Sequence, residues 1–120
     1  NEAEENCAAM AVSQMKDYLE SGIIRNSVNY PDCDLGPVTS GLRIAALHDN
    51  VPNMIGQITA VLARYDANIR RMSNEAQDGS AYTLIDLDGR LDDGAVADLR
   101  PIPGIYRIRV LEPPREATRA

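Results

Sequence analysis

The fold is decided by LRIAALHDNVPNMIGQITAVLARY, residues Leu42 to Tyr65. Leu42 to Leu47 is a mostly apolar run that ends at His48, which makes it a strand candidate. Pro52 then starts a helix, since proline suits the first helical turn. Met54, Ile55, Ile58, Val61, Leu62 and Tyr65 recur at i, i+3, i+4 spacing and mark its buried face. Downstream, Asn68 to Asn74 is a second strand, placed by its position between stronger elements. Gln77-Asp78-Gly79-Ser80 is a hairpin turn. Ala81 to Leu87 is a strand of β-branched and aromatic residues. Asp92 caps a short helix that holds Val96 and Leu99, and Pro101 ends it. In Ile105 to Leu111, Tyr106, Ile108 and Val110 alternate with Arg107 and Arg109, as in a strand.

The order from Leu42 onward is strand, helix, strand, strand, helix, strand. This predicts an α+β, ferredoxin-like βαββαβ domain with a four-stranded antiparallel sheet. Helices cover one face of such a sheet. The other face is expected to stay open and to be buried by pairing with a second copy, giving a homodimer through strand edges or helix packing.

Upstream, Glu2 to Ser21 reads as an amphipathic helix. Cys7, Met10, Ala11, Met15, Tyr18 and Leu19 form its stripe, Glu2, Glu4 and Glu5 lie in its first turn, and Gly22 is its stop. Residues 1–30 are thus a helix and a short extended segment, and 31–40, with Pro31, Asp32, Gly36 and Pro37, a linker. The folded domain is expected over 41–111. A polar, disordered tail follows over 112–120.

A length of 120 residues allows one modest core, and with no Phe or Trp it must be built from Leu, Ile, Val, Met and Tyr. Met10, Met15, Met54 and Met72 read as core filler. The net charge of −6 disfavours nucleic acid and anionic membranes as partners. No apolar run is long enough to span a bilayer. Cys7 and Cys33 lack metal-ligand spacing and read as two thiols in a reducing compartment. GxGxxG, P-loop, GxSxG and HExxH motifs are absent, and His48 is the one imidazole. No catalytic, cofactor-binding or metal-binding residue is therefore assigned. Asp86, Asp88, Asp92 and Asp93 flank a glycine turn and a helix cap and read as solvated turn carboxylates.

The polar cluster His48-Asp49-Asn50 stands just before a helix N-terminus, which offers free N–H groups and partial positive charge. With Asn68, expected to return to the same edge of the sheet, it can recognise an amino acid. Backbone amides and His48 would take the carboxylate, and amide oxygens the ammonium. Structural roles remain open: Asn50 as a helix cap, Asn68 as a turn residue, His48 as a surface residue.

Glu5-Asn6-Cys7-Ala8, Met10-Ala11-Val12, Asp17-Tyr18-Leu19-Glu20-Ser21-Gly22 and Asn26-Ser27-Val28-Asn29-Tyr30-Pro31 resemble the end of the catalytic region of D-3-phosphoglycerate dehydrogenases. His48 through Ile58, Ala67-Asn68-Ile69, Ala81 through Asp88, and Pro103-Gly104-Ile105 with Arg107 to Leu111 resemble the ACT domain of the same enzymes. The resemblance implies a parent enzyme of the cytoplasm that oxidises 3-phospho-D-glycerate with NAD. The cofactor and catalytic residues would lie in upstream domains and none in this chain. It further implies feedback by L-serine bound between two paired ACT domains, on residues matching His48, Asn50 and Asn68, with Pro52, Asn53 and Met54 at the helix start. Many members carry Gly where this chain has Asn53, and that Gly lets a ligand approach the helix. The other expectations are an ACT domain that only holds copies together, or one that senses a different amino acid.

Overall fold

The computed structural model describes residues 13–25 and 33–113. The first turns expected of the N-terminal helix, with Glu2, Glu4, Glu5, Cys7 and Met10, lie outside the described residues. So do most of the extended segment and nearly all of the expected disordered tail.

Helix α1, described over 13–21, ends at Gly22, whose φ of 71° is the left-handed stop expected of it. Then follow β1 (Leu42–Asp49), α2 (Met54–Arg64), β2 (Ile69–Gln77), β3 (Ser80–Leu87), α3 (Asp93–Leu99) and β4 (Ile105–Leu111). The sheet is antiparallel in the order β2-β3-β1-β4. The ferredoxin-like α+β fold expected from the element order is the fold observed. Asp92 caps α3 by accepting from the Gly94 amide at 2.7 Å.

The alternation of β1 and β3 sorts their side chains onto two faces. Ile44, Ala46, Ile85 and Leu87 meet Ile58 and Leu62 of α2 and Leu99 of α3 in the first core. Ala45, Tyr82 and Leu84 point the other way. That second face is not open. Ile24, Cys33, Val38 and Leu111 pack on it, with Tyr18 of α1 and Leu35 at the margin. Residues 33–40 have no helix or strand of their own. They still lie on the sheet, and Cys33 exchanges two backbone hydrogen bonds with Ile24 at 2.8 and 2.9 Å.

Polar groups hold this second layer in place. Arg43, fully buried on β1, donates from Nε and Nη2 to Asp86 of β3 at 2.5 and 3.0 Å. Its remaining N–H groups reach the carbonyls of Ser21, Leu35 and Gly36 at 2.9, 3.2 and 2.5 Å. Tyr82 Oη donates to the Gly22 carbonyl at 2.6 Å, and Arg109 of β4 donates to those of Tyr18 and Leu19 while stacking over the Tyr18 ring. Cations at the carbonyl end of a helix also favour its dipole.

Two expectations are corrected here. Asp86 is not a solvated turn carboxylate: it is 4% exposed and receives a further bond from Arg71 at 2.8 Å. Alternation along β3 puts it on the covered face, which its nearness to Gly89 in sequence concealed. Met54 is core filler, but Met15 and Met72 are exposed, on the outer side of α1 and on the edge strand β2.

Burial alone would push the Asp86 carboxyl up, but Arg43 and Arg71 together hold it below its ordinary value. A folded-state value below the unfolded one means the stabilisation is complete above the ordinary carboxylate range. It is lost as pH falls through the folded value. Replacing Arg43 by Met leaves a buried carboxylate with one half-exposed partner and strands three carbonyls. We expect Arg43→Met to lower stability by about 3–5 kcal/mol in urea unfolding. Asp86→Asn should destabilise at neutral pH and flatten the loss of stability below pH about 3.9.

Candidate functional site

The site residues lie where β1 hands over to α2, at one end of the sheet. His48 faces the α2 side, as Ile44 and Ala46 do, and pairs with Ala81 across the ladder. It is 1% exposed, so it is not a surface residue. Its Nδ1 lies 2.9 Å from the Asp49 carbonyl and its Nε2 2.7 Å from Thr83 Oγ1. Thr83 Oγ1 donates in turn to Asn74 Oδ1 on β2 at 2.7 Å. Both ring nitrogens are thus engaged within the chain, and no side-chain polar atom buried among the described residues lacks a partner.

The loop from Asn50 to Asn53 is exposed. Asn50 does not cap α2. Its backbone N–H donates to the Gly79 carbonyl at 2.9 Å and its side-chain amide to that of Asp78 at 3.5 Å, tying the loop to the β2–β3 hairpin. Pro52 sits in the turn ahead of α2 rather than in its first turn, and the cap position belongs to Asn53. Asn53 has φ 67°, a left-handed conformation that glycine takes freely and that asparagine tolerates better than most residues. Its side chain makes no capping hydrogen bond and lies over Gly56, where a Cβ would come within 2.6 Å of Asn53 Oδ1. No acidic residue stands in the first turn. The α2 N-terminus is therefore uncapped by side chains and positive in potential, an arrangement that suits a carboxylate. Met54 begins the helix but is buried, so its side chain belongs to the core beneath the loop.

Asn68 does not return to this end of the sheet. Its carbonyl accepts from the Asp88 amide at 3.0 Å, and its Nδ2 donates to Asp88 Oδ2 at 2.7 Å. That is just beyond Leu87, which pairs with Leu42 at the start of β1, whereas Asp49 pairs with Ser80 at the finish. Eight strand residues at about 3.3 Å each separate the two ends, or roughly 26 Å. A single copy thus brings His48, Asn50, Pro52, Asn53 and Met54 together and leaves Asn68 apart. A shallow groove lined by Gly56, Thr59, Ala60 and Ala63 of α2 runs down to Ala67, Asn68 and Ile69.

Thr83 and Asn74 were missed in the sequence, whereas Asp88, expected as a solvated turn carboxylate, is exposed and accepts from Asn68. A signal existed for Thr83: it is the one hydroxyl in the helix-facing row that continues through Ile85 and Leu87. Asn74 is identified only by the register. Cys33 is a free, buried thiol, and burial first of all pushes its pKa up. Among the described residues no group of His, Cys, Asp and Glu could hold a metal, and no helix is long and apolar enough to cross a membrane.

The architecture recurs in solved structures. A formyltetrahydrofolate deformylase from Pseudomonas putida shares it at a TM-score of 0.52 and 14% identity, over 60% of this chain and 28% of that one. The ACT domain of a GTP pyrophosphokinase from Chlorobium tepidum matches 61% of this chain and all of its own at 24% identity, with a TM-score of 0.49. In sequence the chain has homologues named D-3-phosphoglycerate dehydrogenase, as its residues led one to expect. That of Escherichia coli K12 is 27% identical over 112 residues, and that of Haemophilus influenzae 24% over 110, each spanning 92% of this chain. The chain spans 27% of the length of these relatives. No protein-family profile matches it.

The left-handed Asn53 gives a direct check on the loop. Asn53→Ala should lower stability by about 1 kcal/mol in chemical unfolding, because alanine gains nothing in that conformation. Asn53→Gly should leave stability equal or raise it.

Proposed function

We propose that this chain is an ACT-type regulatory domain of a D-3-phosphoglycerate dehydrogenase, and that L-serine binds between two copies of it. The observation that carries this reading is the likeness to D-3-phosphoglycerate dehydrogenases over 92% of the chain, which takes in the N-terminal segment as well as the βαββαβ unit. The parent would be a cytoplasmic enzyme that oxidises 3-phospho-D-glycerate with NAD in its upstream catalytic domains. This chain carries no dinucleotide motif, and no step of that chemistry is assigned to it.

The separation of Asn50 and Asn68 supports a site shared by two chains. β2 is an edge strand, and the groove beside it is floored by the small side chains of α2. A two-fold axis that pairs these surfaces runs α2 antiparallel to its copy. The uncapped helix start of one chain then meets the Asn68 end of the other. The α2 N-terminus and Asn53 would take the serine carboxylate, and the amide oxygens of Asn50 and the second copy's Asn68 its ammonium. His48 would contribute by holding the Asp49 carbonyl, and so the loop. Full use of its ring within the chain favours a second reading, a dimerisation domain without a ligand. A domain selective for another small amino acid is the third.

Calorimetric titration of the chain with a panel of amino acids separates these readings, with light scattering to give its mass. The expected result is a dimer that binds L-serine. Asn50→Ala and Asn68→Ala should each weaken binding tenfold or more, at least about 1.4 kcal/mol. Asn53→Gly should leave affinity equal or improve it. A folded dimer that gives no heat with serine leaves the ligand-free reading standing, and heat with another amino acid alone selects the third. A strict monomer at high micromolar concentration would remove the shared site.

A further inference from the structure

We propose that His48, Thr83 and Asn74 form a proton-linked relay, in which the charge on the buried imidazole sets which way the exposed Asn74 amide points from the edge of the sheet. The argument is hydrogen-bond bookkeeping along three contacts. The Asp49 carbonyl can only accept, so Nδ1 at 2.9 Å carries a proton in either charge state. In the neutral ring Nε2 then has no proton and must accept from Thr83 Oγ1 at 2.7 Å. This uses the single hydroxyl proton of Thr83. Asn74, whose Oδ1 lies 2.7 Å from Thr83 Oγ1 in this structure, must then turn over to offer Nδ2 to Thr83 and point Oδ1 outward. In the imidazolium Nε2 donates instead. Thr83 accepts it and directs its own proton to Asn74 Oδ1, which turns Nδ2 outward. Among the proton placements open to these groups, only these two fill all three contacts and also give the buried Thr83 hydroxyl proton an acceptor within them; a hydroxyl accepting from both neighbours would leave that proton stranded.

Position makes the relay consequential. His48 and Thr83 are buried, so neither nitrogen nor hydroxyl can trade its partner for bulk water. Asn74 is exposed on β2, whose one neighbour in the sheet is β3. Protonation of His48 therefore converts one position on the free edge from an acceptor to a donor. A chain docking on that edge, a second copy included, meets a different partner in each state. The charged groups at this end of the sheet are Asp49 beside the ring and Asp78 in the hairpin. On α2 no charged side chain precedes Arg64. Glu75 pairs with Tyr82 and Arg107 with Leu47, which places both on the opposite face, where Asp86 also lies. The relay does not depend on serine binding or on dimerisation.

The test is an NMR pH titration of the isotopically labelled chain, following the two ring nitrogens of His48 and the side-chain amide of Asn74. The expected result is a neutral ring protonated on Nδ1 and an Asn74 amide whose resonances shift with the same midpoint as the ring. Thr83→Val should leave the ring titrating while Asn74 no longer follows it, and Thr83→Ser should restore the link. The proposal is overturned by a neutral ring protonated on Nε2, by Asn74 resonances that stay fixed while the ring titrates, or by a ring that keeps one charge state across the folded range. Should Thr83→Val fail to fold, the wild-type titration alone decides.

Discussion

Arg43 has five N–H donors, and each finds an acceptor: two oxygens of Asp86 and the carbonyls of Ser21, Leu35 and Gly36. A guanidinium withdrawn this far from water is tolerated only when paired and fully bonded. That demand fixes much else. Asp86 must stand opposite it, as the β1–β3 register provides. The turn after α1 and the stretch around Gly36 must lie against the sheet, because their carbonyls complete the shell. Among the described residues, the end of α1 with its turn and residues 33–40 thus form a second layer on the sheet.

The two ends of β1 follow the same rule with different outcomes. At its start, Arg43 draws in backbone from outside the βαββαβ unit. At its finish, His48 is satisfied wholly within that unit, by its neighbour's carbonyl and by Thr83. What remains open at that end is therefore not the imidazole but the exposed loop above it: the side-chain oxygen of Asn50, Asn53 and the start of α2. A ligand carboxylate would find fixed N–H groups there and an asparagine already held in a glycine-like conformation.

The element order was legible because each element announces itself locally. α2 has its i, i+3, i+4 stripe, β3 its β-branched run, α3 its Asp92 cap and Pro101 stop. Boundaries shifted by a few residues, as where β2 runs on from Asn74 to Gln77. The second layer was not legible. Residues 33–40 carry no periodicity, and Pro37 and Gly36 look the same in a packed strap as in a loose linker. Nor does an arginine in an apolar run reveal whether it will be buried. The candidate site divided along the same line. The neighbours in sequence, His48 through Asn53, are neighbours in space. The expected return of Asn68 required knowing at which end of the sheet β2 begins, and that is a matter of topology rather than composition.

Covering the second face changes the argument for association. An open sheet face would call for a flat, apolar interface, with one sheet on another. Among the described residues that face is already occupied by Ile24, Cys33 and Val38, while α2 and α3 cover the first. What is left is lateral: the free edges of β2 and β4 and the helix flanks beside them. At the β4 edge, Arg109 reaches across to the carbonyls of α1, so part of the surface there is engaged by the chain itself. Among the described residues, β2 is tied to the chain by Arg70 to Ser40 and Asp88, by Arg71 to Asp86 and by Ser73 to Cys33, and β3 is its one neighbour in the sheet. The β2 edge also adjoins the α2 groove, whose small side chains admit close approach of a neighbouring backbone. Strand pairing at β2 would add ordered hydrogen bonds to that contact and would fix its register. The same edge carries Asn74, so the polar pattern offered for pairing is the one that the buried His48 controls.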